Sequence, residues 1–158
     1  MDSEVSVAPS DLISDFSEND IPWKGGQKLF EWWNTARGKR QFPNRHDFSP
    51  TEMVPILSSI VLLDVIPEAP TYRFRLVGTL VTDVLGFDPT GKLLEEVPST
   101  ENLRERYDWI HQNKKPYLCT NIPTRWARKD FKAYSTLVLP LGPTDDEVTM
   151  IMGSLTFS

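Results

Sequence analysis

At 158 residues, with 13 Pro and 5 Trp, the chain suits one domain with a real core, and its single cysteine, Cys119, excludes an internal disulfide or a clustered-thiolate metal site. The net charge of −5 resides in residues 1–20, which hold six Asp and Glu and no Lys or Arg; the remainder is +1, so bulk charge argues for neither nucleic acid nor a membrane surface as partner. No apolar run approaches the ~20 residues that span a bilayer, and the acidic start lacks the basic-then-apolar order of a secretory signal, so no membrane insertion is expected and the cytoplasm is the expected compartment.

Residues 1–22 are acidic and aperiodic and read as a flexible tail, with Leu12, Ile13 and Phe16 as a weak apolar pattern that a partner would take up. Residues 23–59 read as N-terminal helices with a basic loop between them. Leu29, Trp33 and Ala36 recur at i, i+4 and i+7 in a helix over 26–37 that Gly38 stops. Phe30 and Trp32 flank that stripe. Three large aromatics in four positions exceed what one buried face needs, so core packing and a dimer or partner contact both stand as readings. The loop Lys39, Arg40, Arg45 and His46 lacks a glycine-rich phosphate cradle, and an Arg45–Asp47 interaction would pin it. Ser49-Pro50-Thr51-Glu52 predicts a helix start with a capping box, and Pro55 predicts that the helix is short or kinked.

Residues 60–158 read as the core. Ile60 to Ile66 is a nearly unbroken apolar strand, and 67–70 connect it as a hairpin to the next. In that next strand Tyr72, Phe74 and Leu76 share one face while Arg73 and Arg75 share the other, the period of two of a half-wet strand. Asp64 inside the first strand needs a partner, Arg73 or Arg75. Thr79 is expected to cap a small helix carrying Leu80, Val81, Val84 and Leu85, with Gly86 ending it and Asp88-Pro89-Thr90-Gly91 forming a type I turn. Ser99 is expected to cap a long helix over 100–113, in which Leu103, Tyr107 and Ile110 make one apolar stripe. Three strands over 116–126, 131–141 and 147–157, joined by short turns, predict an antiparallel meander. The whole predicts an α+β fold: a five-stranded antiparallel sheet with helices on one face, plus an N-terminal helix extension.

Enzymatic motifs are missing: no Gly-x-Ser-x-Gly, no glycine-rich loop with Lys, no His-Glu-x-x-His. His46 and His111 are the only histidines, which rules out a site built on several imidazoles, and no metal or cofactor is required by the sequence. Tyr107 is the best pocket residue, with an apolar body and a hydroxyl on the helix face that looks at the sheet. Leu103 and Ile110 share its stripe, and Tyr134 and Trp126 are the strand residues that could meet it, their facing left open by the sequence; a filled core without ligand is the alternative. Arg125, Arg128, Lys129 and Lys132 around Trp126 read as a solvated hairpin tip rather than a nucleotide site.

The order of elements, together with Phe30-Glu31-Trp32-Trp33, the run from Pro43 to Pro50, Leu62-Leu63-Asp64-Val65, the string from Tyr72 to Thr79, Gly86, Thr90-Gly91 and Leu139-Pro140-Leu141, resembles the PAS fold. The motifs are similar to those of small single-domain bacterial PAS proteins of alphaproteobacterial type, from about Leu29 onward. The resemblance implies a non-enzymatic sensory or regulatory domain in bacterial signal transduction, acting through contacts with another signalling protein and pairing as a homodimer. Trp32, Trp33, Phe30 and Arg45 are the interface residues this reading selects. The alternative is a sensor that captures a small molecule or nucleotide between the long helix and the sheet. Haem-binding PAS domains take a ligand from the element that carries His111, but a solvated or capping histidine is the expectation here. Photosensory flavin domains need a Cys before the long helix, whereas Cys119 follows it.

Overall fold

Strand pairing in this protein follows from two apolar runs that cannot be solvated on either side. A computed structural model describes residues 9, 11–68, 71–126 and 133–158. Its strands are β1 (Ile60–Ile66), β2 (Thr71–Val77), β3 (Tyr117–Pro123), β4 (Ala133–Leu141) and β5 (Met150–Phe157). They form one sheet in the order β2-β1-β5-β4-β3, every neighbouring pair antiparallel. The expected α+β fold with a five-stranded antiparallel sheet is therefore present. Much of the predicted basic tip, including Arg128, Lys129 and Lys132, lies outside the described residues, as do Ala69 and Pro70 of the first hairpin.

Both faces of the sheet are covered. Gly153 and Leu155 look toward α3 (Glu101–Asn113), and Ser154 between them points the other way. On that other side Trp23 Nε1 donates to Ser154 Oγ at 3.0 Å. Trp23 immediately precedes α1 (Lys24–Arg37), so the N-terminal extension takes the face opposite α3. Gly26, Leu29 and Trp33 are its buried positions. The residues on this side, Leu62, Leu137, Leu139 and Met152, are fully buried. The central strands thus have no wet face, which is why β1 and β4 read as continuous apolar runs.

Several local expectations are corrected by competing hydrogen bonds. Residues Pro50–Ser59 form a 3₁₀ helix, and Ser49 makes no side-chain cap. Pro55 within it has no N–H to give, so the helical hydrogen-bond ladder is interrupted there. The N-cap of α2 (Thr79–Leu85) is Gly78, not Thr79. A Cβ at Gly78 would lie 2.2 Å from the Ser58 carbonyl oxygen, so this close crossing requires glycine. The turn after α2 is shifted by one residue: Lys92 N–H donates to the Pro89 carbonyl at 2.8 Å, and Gly91 takes φ of 89°. Asp88 instead accepts from the Thr90 backbone N–H and hydroxyl. The N-cap of α3 is Thr100 rather than Ser99. Its hydroxyl turns inward and donates to the carbonyls of Leu94 and Val97, so it caps nothing in the helix.

In the basic loop, Asp47 pairs with Arg40 at 2.9 Å rather than with Arg45. The Asn44 backbone N–H and that guanidinium hold the Asp47 carboxyl below its usual range. Arg45 lies over the Phe48 ring instead, 5.8 Å from its centroid. Asp64 takes Arg75, at 3.0 Å, of the two partners open to it.

Residues 11–21 differ most from the reading as a free tail. Ile13 exchanges both backbone hydrogen bonds with Leu118 on the edge of β3, each at 2.8 Å. Ile21 is 1% exposed. The weak apolar pattern finds its partner in the same chain, where Phe16 packs on Phe30 at 5.3 Å.

The packing of α1 makes a direct forecast. Trp33→Ala should lower unfolding stability by about 3–5 kcal/mol, the usual cost of emptying a buried Trp site. Urea denaturation reads it as a shift in midpoint at constant slope; a change under 1 kcal/mol would show that α1 is not part of the core.

Candidate functional site

The site is built where α3 crosses the sheet. The stripe Leu103, Tyr107 and Ile110 turns inward because the spacing 103, 107, 110 keeps to one helix face. Tyr107 and Ile110 are buried and Leu103 is half-buried. Tyr72 of β2 fixes the helix from below. Its hydroxyl donates to Asp108 at 2.5 Å, and its ring meets Tyr107 edge-on at 5.4 Å. A bond of that length to a carboxylate is of the stronger, charge-assisted kind.

Between α3 and the sheet lies a cavity of about 40 Å³. Leu103 and Tyr107 line it from the helix, Val61, Thr136, Val138, Gly153 and Leu155 from the central strands, and Val81 and Leu85 from α2. Tyr117, Tyr134 and Trp126 close one end. The volume admits a water-sized guest and falls well short of the ~150 Å³ apolar cavity that takes benzene. The lining is largely apolar, and two buried polar groups of its residues, the Tyr117 hydroxyl and Trp126 Nε1, have no hydrogen-bond partner. An orphaned donor facing an apolar space costs about 1–3 kcal/mol, which a guest bearing an acceptor would recover.

Four of the five predicted pocket residues, Leu103, Tyr107, Tyr134 and Trp126, meet at this cavity. Ile110 does not; it is fully buried one turn away and serves packing. The Trp126 ring is wedged edge-on between Tyr134 at 5.2 Å and Phe157 at 5.9 Å. The residues selected for an interface are placed differently. Trp33 is buried, and its Nε1 donates to the Pro140 carbonyl at 2.9 Å. Phe30 stacks on Trp33 at 6.0 Å, and Trp32 meets Phe48 edge-on at 5.4 Å. With Arg45 over Phe48, the aromatics that looked surplus all have partners within the chain.

Sequence reading missed Arg106. It is 3% exposed beside the cavity's end. Nη1 donates to Asp11 at 2.7 Å, Nη2 donates to the Tyr134 hydroxyl at 3.0 Å, and Nε has no acceptor. Burial works against its charge, yet the acidic groups around it (Tyr134, Tyr117, Cys119 and Asp11) outweigh burial and raise its pKa. At neutral pH the phenols and the thiol are uncharged, which leaves Asp11 as the counter-charge. The signal was present in the helix spacing: 103, 106, 107 and 110 share a face, and a charge in an apolar stripe demands a partner.

No group of three or more His, Cys, Asp or Glu among the described residues could hold a metal ion. Burial pushes the Cys119 thiol up to about 12, which leaves it a small apolar residue rather than a nucleophile.

The protein's four tyrosines, Tyr72, Tyr107, Tyr117 and Tyr134, all have pKa values raised above 10.0, chiefly by burial. The folded state therefore keeps protons that the unfolded chain releases above pH ~10, so stability must fall as pH rises through that range. Absorbance at 295 nm should show almost no tyrosinate at pH 10, then a joint rise that coincides with loss of far-ultraviolet circular dichroism. Half-ionisation of two or more phenols at pH 10 in folded protein would contradict the closed packing.

A family model described as PAS domain matches residues 23–156. No curated protein matches the chain. No helix among the described residues is long and apolar enough to cross a membrane.

Proposed function

We propose a function from the premise that this chain belongs to the PAS domain family, whose match spans residues 23–156. Membership makes it a domain of sensory or regulatory type. In our reading the domain is non-enzymatic, and its input is a small molecule held between α3 and the sheet. Its output passes to another polypeptide, a second copy or a signalling partner, as in the small bacterial PAS proteins the sequence resembles.

The single observation that supports this reading is the largely apolar cavity under Tyr107, whose lining residues include two buried polar groups without a hydrogen-bond partner, the Tyr117 hydroxyl and Trp126 Nε1. A core selected only for stability fills such a space and satisfies such a donor. A receptor leaves both for its guest. The guest is neutral and of very few heavy atoms, with one acceptor for Tyr117, and the cavity widens by side-chain movement to take anything larger than a water. Reading the domain as a protein-contact module alone loses one of its anchors, because Trp33 is buried, whereas Phe30 and Trp32 stay half-buried.

Gly153 gives the test. A Cβ there would sit at 3.6 Å or more from its neighbours, so Gly153→Ala is tolerated and Gly153→Leu projects into the cavity. Native mass spectrometry of protein isolated from its own cells should show a small added mass on the wild type and on Gly153→Ala. Gly153→Leu should carry none and should differ from wild type in the proteins isolated with it. Bare chain mass throughout, with the same co-isolated proteins for all three, would overturn a ligand input.

A further inference from the structure

Arg106 is the charged residue that the fold buries among those described. Burying a guanidinium costs several kcal/mol unless it is paired. Among the described residues its counter-charge is Asp11, 95 residues away in sequence. The two partners are unequal: the Arg106 side chain is 4% exposed and that of Asp11 is 37% exposed. The cation is built in, and the anion reaches it from solvent. Two elements hold the cation in place, since α3 carries it and Tyr134 of β4 accepts from Nη2. The anion is held by a strap with a single bridge to β3, at Ile13. Nε of Arg106 is still without an acceptor. A second recess of about 20 Å³ opens at this point, walled by Asn102, Leu103, Ile122 and Pro123, with Arg125 exposed at its rim.

We propose that Arg106 is a binding site for a short aliphatic monocarboxylate, and that Asp11 is the occupant it holds when the ligand is absent. Ligand and strap then compete for one guanidinium. The ligand's carboxylate takes the place of the Asp11 carboxylate and reaches the open Nε as well. Its alkyl tail lies in the recess against Leu103 and Ile122. The buried part of the site holds one cation, and Arg125 at the rim is solvated, so the second charge of a phosphate dianion would be poorly compensated there. The recess and the space vacated by Asp11 suit a few carbons and exclude a benzene-sized ring, which needs ~150 Å³. Displacing Asp11 loosens the strap at Ile13 and opens the backbone of Leu118 on the edge of β3. A bare strand edge is a template for pairing with another chain. This site lies beside the cavity under Tyr107 and does not require a guest there.

Titrating the full chain with sodium propionate at constant ionic strength tests the proposal, read by calorimetry and by amide resonances. The expected result is saturable binding, with shifts and faster hydrogen exchange at Ile13 and Leu118. Propionamide and benzoate should be inert. Asp11→Asn should bind propionate roughly tenfold more tightly, within the usual range of coupled equilibria, because the internal competitor is gone. Arg106→Gln should not bind. Since that variant can fail to fold, the decisive comparison is Asp11→Asn against wild type. Equal propionate affinities in those two, equal binding of propionamide, equal binding of inorganic phosphate, or no propionate binding at all would each overturn the proposal. The added mass in native mass spectrometry reports the cavity's guest, and the comparison of Asp11→Asn with wild type reports this site, so loss of one is read separately from loss of the other.

Discussion

A sheet with two apolar faces must be covered twice, and the rest of this structure follows from that constraint. β1, β4 and β5 place large apolar side chains on both sides of the sheet. Alternation along each strand hands half of them to α3 and α2, and the other half to α1. Neither layer is dispensable, because exposing either face would return several fully buried side chains to water at roughly 1.5–3 kcal/mol each. The long N-terminal extension is thus a structural layer, with Leu29 and Trp33 buried in it.

The two layers are not equivalent. On the α1 side, Trp23 and Trp33 fill the space and place their ring N–H groups on Ser154 and Pro140, so apolar and polar needs are both met. On the α3 side, packing is left incomplete. The cavity, the unpartnered Tyr117 hydroxyl and the open Nε of Arg106 all lie there. Unfilled volume and unpaired donors are costs that a stability-driven core removes. Their clustering on one face is what the proposed ligand site rests on, in the absence of any motif to mark it.

The parts of the fold that were legible in the sequence are those whose cause is local. The alternation from Tyr72 to Leu76, the apolar run from Ile60, and the stripe Leu103, Tyr107, Ile110 each state an element and its buried face within a few residues. Turn and cap chemistry was less legible, because several donors compete for the same acceptor. Thr100 had two buried carbonyls to satisfy and so could not cap its helix, and Asp47 was within reach of Arg40 as well as Arg45. Contacts far apart in sequence left the faintest trace. Nothing near Asp11 announces Arg106, and nothing near Trp23 announces Ser154. The excess of aromatics in α1 was visible, but whether it faced a partner or the far side of its own sheet depended on which way the strands were numbered into the sheet. The pocket was legible from Tyr107 alone, whereas its polar features, Tyr117 and Arg106, emerged only once β3 and the strap were in place.

Native-state hydrogen exchange tests most directly the claim that α1 and α3 are two covers of one core. The account predicts that the slowest amides of α1, around Leu29 and Trp33, exchange at the free energy of global unfolding, together with those of β4 and β5. If α1 amides instead exchanged several kcal/mol more easily while the sheet stayed protected, α1 would be an appendage, and the two-layer account would be contradicted.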